Sequence, residues 1–144
     1  MEKKEIKIVG LDLDGTLLTD KKELLPYTKN VIKEAMKNGT VVLVATGRPW
    51  TGVPEELREL PGMDYALTAN GARIIETRTG KVLEEHLLSK EAAKKAIAIG
   101  RKYDTLLEVY FDGQGYAQKD EIAQVRKYHK NPNMWDYFLR TRIA

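Results

Sequence analysis

Two aspartates, Asp12 and Asp14, stand one residue apart at the end of an apolar run, and Gly15 and Thr16 follow them directly. Side chains of an extended chain alternate faces, so this spacing sends both carboxylates to one side. Two like charges so close raise each other's pKa unless positive charge intervenes, so the pair predicts a bound cation or a shared proton. Mg²⁺ suits such hard oxygen ligands. An Asp before Gly also ends strands for purely local reasons. The apolar strand before this pair and the Gly-Thr turn after it favour the chemical reading.

These carboxylates need elements to position them. Residues 6–18, IKIVGLDLDGTLL, read as a buried strand running into a turn. A polar loop over 20–26 leads to a helix marked by Val31, Ile32, Ala35 and Met36 at helical spacing, and Gly39 stops it. Val41–Ala45, VVLVA, is a continuous apolar run of the kind expected for a strand buried on both faces. Strand, helix and strand make a βαβ unit, parallel by general chain rules. Ligands of open α/β sheets sit beyond the carboxyl ends of strands, so Thr46 should emerge beside Asp12 and Asp14. Locally, Thr46 could equally cap a helix, with Gly47 chosen for backbone freedom.

Pro49 and Pro54 delay the next helix, which should run through Leu57 and Leu60 to a stop at Pro61-Gly62. Tyr65–Thr68 reads as a third strand, and Asn70-Gly71 as a plain type I′ turn into 73–76. A second hairpin turns at 78–80 and returns through 81–84. Composition then shifts: Ser89 caps an alanine-rich helix reaching about Lys102. Residues 106–111 read as a strand, Asp112-Gly113 as a turn toward 116–118, and Ile122 with Val125 as a helix closed by Asn131-Pro132-Asn133. The tail 134–139, MWDYFL, either docks on its own domain or exposes a patch for a partner.

DLDGTLL, residues 12–18 with the preceding Leu11, resembles the nucleophile motif of the haloacid dehalogenase-like phosphohydrolases, and ATGR over 45–48 resembles their second motif. The helix, strand, strand, helix block after residue 87 is similar to the start of the α/β cap of the Cof-type branch. The resemblance implies an α/β fold: a partial doubly wound, Rossmann-like parallel sheet over residues 1–86 and the first part of an inserted cap over 87–144. It further implies that Asp12 attacks phosphorus to give an aspartyl-phosphate, while Asp14 serves as acid and base. The Asp12 carboxylate and Asp14 backbone carbonyl would hold Mg²⁺. Thr46, with backbone N–H groups near Leu13, Gly15 and Gly47, would bind phosphoryl oxygens. The resemblance also implies a small phosphorylated metabolite as the class of substrate.

Family members continue past the cap to a third-motif lysine and a fourth, acidic motif, and neither can be assigned here. Asp104, Asp112, Asp120 and Asp136 lack the strand-Gly context of the fourth. The expectation is therefore a chain truncated within the cap and impaired as a phosphatase. The alternative is a non-catalytic module that completes its sheet with another chain, as a homo-oligomer through an open sheet edge or the aromatic tail.

Composition narrows the rest. The 144 residues, 42% hydrophobic and 31% charged, describe an ordinary globular chain with a real core. No cysteine is present, which removes disulfide scaffolds, zinc-thiolate sites and cysteine nucleophiles. Net charge is +3, but basic and acidic residues are mixed, so nucleic acid is not the expected partner. Charged residues after Met1 and the lack of a long apolar run speak against a signal peptide or a membrane span and for a cytoplasmic protein. His86 and His129 stand alone and read as surface residues. A receiver domain would want an aspartate after Val41–Ala45, and a dinucleotide fold would want G-x-G-x-x-G; neither is present.

Overall fold

The computed structural model describes residues 5–144, and the chain divides into two compact units, Met1–Glu85 and His86–Ala144. The charged start over 1–4, part of the case against a signal peptide, lies outside the described residues. Among those described, no helix is long and apolar enough to cross a membrane.

The first unit is a five-stranded sheet in the order β1 (Ile8–Leu11), β2 (Val41–Ala45), β3 (Tyr65–Thr68), β4 (Arg73–Glu76) and β5 (Val82–Glu85). The first three strands are parallel, with Leu11 opposite Val44 and Ala45 opposite Leu67; β4 and β5 add antiparallel. Helix α1 (Pro26–Lys37) supplies the first crossover. Pro26 is tolerated in its first turn, where backbone N–H groups have no helical acceptor. Gly39, at φ 84°, lets the chain turn out of the helix. The second helix, α2 (Glu55–Arg58), is a single turn between Pro54 and Pro61, shorter than the apolar spacing suggests, although Leu57 and Leu60 are both buried.

Leu13, Ile32, Val42, Val44, Leu57 and Ala66 form the heart of this unit's core. Burying each large aliphatic side chain is worth roughly 1.5 to 3 kcal/mol. The core lies against one sheet face only. Val42 and Val44 of β2 are buried, whereas Val41 is 39% exposed and Leu43 and Ala45 are half-buried, so the expectation of burial on both faces is not met. The run expected to form a buried first strand is likewise exposed: Ile6 and Ile8 are 60% and 64% exposed, and β2 is the one neighbour of β1 among the described residues. An apolar run signals what a strand can be buried against, not whether the same chain supplies the cover.

In the second unit, α3 (Lys90–Gly100) starts at Ser89, whose Oγ accepts from the Ala92 N–H at 3.1 Å. Three short strands, β6 (Val109–Phe111), β7 (Gln114–Tyr116) and β8 (Arg142–Ile143), form a separate sheet. Asp112 and Gly113, at φ 47° and 75°, make the two-residue turn between β6 and β7. The expected 106–111 strand is cut to three residues, since Leu106 packs into the core instead. The Ile122–Val125 helix is two short ones, α4 (Lys119–Ala123) and α5 (Val125–Tyr128).

Asn131 does not close a helix but opens one. Its side chain accepts from the Asn133 N–H at 3.0 Å and caps α6 (Pro132–Thr141). The aromatic tail is this helix. Phe138 packs with Val125 and Ala117, and Tyr137 is buried, while Leu139 stays 48% exposed. Strand β8, parallel to β7, has no signal in a two-residue sequence.

Candidate functional site

The three parallel strands β1, β2 and β3 end at one edge of the first sheet, and each delivers residues of chemical interest just beyond its last paired residue. Asp12 and Asp14 follow β1, Thr46 to Arg48 follow β2, and Ala69 to Gly71 follow β3. The extended segment ends at Leu11, yet alternation survives it: Asp12 and Asp14 are exposed and Leu13 between them is fully buried. Leu13 anchors the loop, and the carboxylates face outward together. The chain then curls back, the Leu18 N–H donating to the Leu13 carbonyl at 2.9 Å, with Gly15 at φ 79°.

The two carboxylates have different surroundings. Asp12 Oδ2 accepts from the Thr16 hydroxyl at 3.0 Å. Asp14 is clamped: Arg48 Nε reaches Oδ2 and Arg48 NH2 reaches Oδ1, both at 2.7 Å, and Lys22 Nζ lies 2.7 Å from Oδ1. A two-pronged guanidinium contact is among the strongest ways to hold a carboxylate. The Arg48 side chain is itself 6% exposed and anchored through NH1 to the Gly52 carbonyl at 2.8 Å. Hydrogen bonds from Arg48, with help from Lys22, hold the Asp14 carboxyl down at about 2, against the opposing effect of burial. The positive charge that the Asp pair demands is thus supplied, at least for Asp14, by the protein.

Thr46 is buried, and its hydroxyl accepts from the Arg48 N–H at 3.2 Å. That leaves the hydroxyl hydrogen to donate outward. Thr46 does not cap an α-helix; the segment after it is a single 3₁₀ turn, Trp50–Gly52. Gly47 has space as its reason: a methyl group there would meet Asn70 Oδ1 at 2.7 Å. The neighbouring turn is sewn to this loop, with Asn70 N–H donating to the Thr46 carbonyl at 3.1 Å and Ala69 N–H to the Arg48 carbonyl at 2.9 Å.

Among the described residues no group of three or more His, Cys, Asp or Glu side chains could hold a metal. The Asp12 carboxylate is exposed, whereas the Asp14 side chain is occupied by Arg48 and Lys22, so Mg²⁺ would be held by the Asp12 carboxylate and, as the family resemblance implies, the Asp14 backbone carbonyl. Mg²⁺ commonly binds through one or two carboxylates, with waters and substrate phosphate completing the shell, so this sparse set fits it. The second unit's buried cation is of another kind. Arg142 pairs with Glu108 and lies over the Tyr137 and Phe138 rings at 5.4 and 5.0 Å, a packing role.

Asp12, Leu13, Asp14, Gly15, Thr46 and Gly47 therefore sit at one sheet edge. Arg48 and Lys22 carry no role in the sequence reading. Arg48 directly follows Thr46-Gly47, a signal that was there to use; Lys22 has none.

The family profile of the haloacid dehalogenase-like hydrolases matches residues 9–141. The 5-amino-6-(5-phospho-D-ribitylamino)uracil phosphatase YcsE of Bacillus subtilis (strain 168) is 30% identical over 101 residues, covering 70% of this chain and 40% of YcsE. Phosphatase YwpJ of the same organism is 31% identical over 88 residues, 61% of this chain and 30% of YwpJ. A haloacid dehalogenase-like hydrolase structure from B. subtilis superimposes with a TM-score of 0.76 at 21% identity, covering 96% of this chain and 53% of that one, a likeness of fold. The chain spans less than half the length of the curated relatives it matches. With the profile match spanning nearly all of it, this chain belongs to the haloacid dehalogenase-like hydrolases.

Proposed function

We propose that this chain carries the nucleophile side of a Mg²⁺-dependent phosphomonoester hydrolase. The observation that supports this best is the convergence of Asp12, Asp14 and Thr46 at the carboxyl edge of the parallel strands, with Asp14 clamped and Asp12 left open to solvent. An Asp12 oxygen attacks phosphorus in line, a P–O(Asp12) bond forms, and the bond to the leaving oxygen breaks. Water then attacks the aspartyl-phosphate, the P–O(Asp12) bond breaks, and Asp14 takes the water proton. The Thr46 hydroxyl and backbone N–H groups at Leu13, Gly15 and Gly47 would bind the phosphoryl oxygens. Mg²⁺, held by the Asp12 carboxylate and Asp14 carbonyl, would supply charge neutralisation between nucleophile and phosphate.

Held as an anion by Arg48 and Lys22, Asp14 carries no proton to donate near neutral pH. Substrates whose leaving oxygen needs no proton should therefore react best. The expected outcome is metal-dependent hydrolysis of an aryl phosphate, faster than that of an alkyl phosphate and lost in Asp12→Asn. An Asp12→Asn variant as active as the parent would sink the reading. Turnover by this chain alone should be low, because no further acidic group joins Asp12 among the described residues.

A second reading, a module completed by another chain, draws on the open edge of β1 and the exposed Ile6, Ile8 and Val41. It includes pairing with a second copy. Sedimentation separates the two: a strictly monomeric chain with metal-dependent turnover leaves this second reading without support.

A further inference from the structure

Three consecutive residues after β3 have positive φ: Ala69 at 50°, Asn70 at 57° and Gly71 at 86°. Asn70 and Gly71 have the signs of a type I′ turn, for which Asn-Gly is the favoured pair. The connection is nevertheless not a plain two-residue hairpin, because the last paired residues are Thr68 and Arg73 and four residues intervene. Turn chemistry does not account for Ala69, which has a Cβ and gains nothing from that region. Such strain persists where surrounding structure over-determines it. Here the determinants are the hydrogen bonds from Ala69 and Asn70 to the Arg48 and Thr46 carbonyls, which lock the turn onto the loop holding Thr46 and Gly47.

The lock sets one side chain against the candidate phosphoryl cradle. The Asn70 amide occupies the space a Gly47 side chain would fill, with Oδ1 at 2.7 Å and Nδ2 at 3.4 Å from that position. Asn70 is exposed, and among the described residues its side-chain amide has no hydrogen-bond partner. A primary amide offers two donors and an acceptor, so one held beside a backbone N–H that binds a phosphoryl oxygen can add a donor to the same anion.

We propose that Asn70 is a further substrate-contact residue, whose side-chain amide donates to a phosphoryl oxygen held at Gly47, and that the left-handed turn exists to place it there. This rests on the phosphohydrolase reading of the site. It also gives Gly47 a purpose beyond local flexibility, since any side chain there would push the amide aside.

The test uses inorganic phosphate with Mg²⁺, titrated into the full chain and two variants, with thermal melting as a control. Asn70→Gly keeps a backbone at ease with positive φ and removes the amide. Asn70→Asp also tolerates that backbone but puts a carboxylate against the anion. Loss of one hydrogen bond to a charged group should weaken phosphate binding about tenfold or more in Asn70→Gly, and the added repulsion should weaken it further in Asn70→Asp. In the parent, the Asn70 side-chain amide NMR signals should shift as phosphate is added. A turn-only role predicts that Asn70→Gly binds phosphate as tightly as the parent and that the amide signal does not move, and that result overturns the proposal while leaving the phosphohydrolase reading intact. Absence of phosphate binding by the parent overturns both.

Discussion

At the scale of single residues, the contact with most consequence is the grip of Arg48 on Asp14. It joins two loops 34 residues apart, and the guanidinium is buried. In Arg48→Met the aliphatic stem is kept and the contacts to Asp14 and to the Gly52 carbonyl are all lost, which should cost about 1 to 3 kcal/mol in urea denaturation. The same substitution should loosen Asp14 and lower turnover of an aryl phosphate. The pH dependence has a definite sign. A carboxyl lowered from 3.8 to about 2 contributes stability that is fully present above the upper value and is lost as pH falls through the lower one. Acid titration of the folded state should therefore show a loss between those values that is much reduced in Arg48→Met. Partial exposure of Asp14 screens the effect, so high salt should shrink it. None of this pairing is written locally in the chain. The Asp pair is legible because alternation is a neighbour-to-neighbour property, whereas its cations come from Lys22 and Arg48, which only folding brings to it.

At the scale of elements, Asn131 was expected to close a helix and instead opens one, but a helix start whose determinants lie within a few residues is legible. Ser89 is such a case, and Ser89→Ala should cost about 1 kcal/mol, measured by denaturation followed through the second unit's aromatic residues. The helix α6 was not legible. Its dense apolar and aromatic residues read equally as a docked tail or a free patch, and the choice depends on whether Val125 and Ala117 offer a cavity for Phe138. Phe138 is 1% exposed, and Phe138→Ala should destabilise by roughly 3 to 5 kcal/mol. The second unit should then lose its near-ultraviolet circular dichroism signal first, with the sheet of the first unit outlasting it. A single cooperative loss of both units in this variant would show that they do not unfold separately.

For the whole molecule, the feature that bears on association is β1, which has β2 as its one neighbour among the described residues. β1 carries the exposed Ile8, and among the described residues no strand pairs with its other side; such an edge is a template for pairing with another chain. Ile8→Lys should leave stability within about 0.5 kcal/mol of the parent, because the side chain is already mostly in water. Where sedimentation shows concentration-dependent association of the parent, Ile8→Lys should reduce it. Unchanged association would move the search for a contact surface away from this strand.

The amino-acid sequence by itself determined the alternation that sets Asp12 and Asp14 on one side and the βαβ order that carries Thr46 to the same sheet edge. Both are short-range, set by chain geometry and by residues a few positions apart. Tertiary structure alone decided that Asp14 is held by Arg48 and Lys22, that Asn70 rests against Gly47, and that β1 and one face of β2 are left uncovered by the described residues. Those outcomes depend on which distant surfaces meet, and hydrophobic pattern reports a capacity for burial without naming what will provide it.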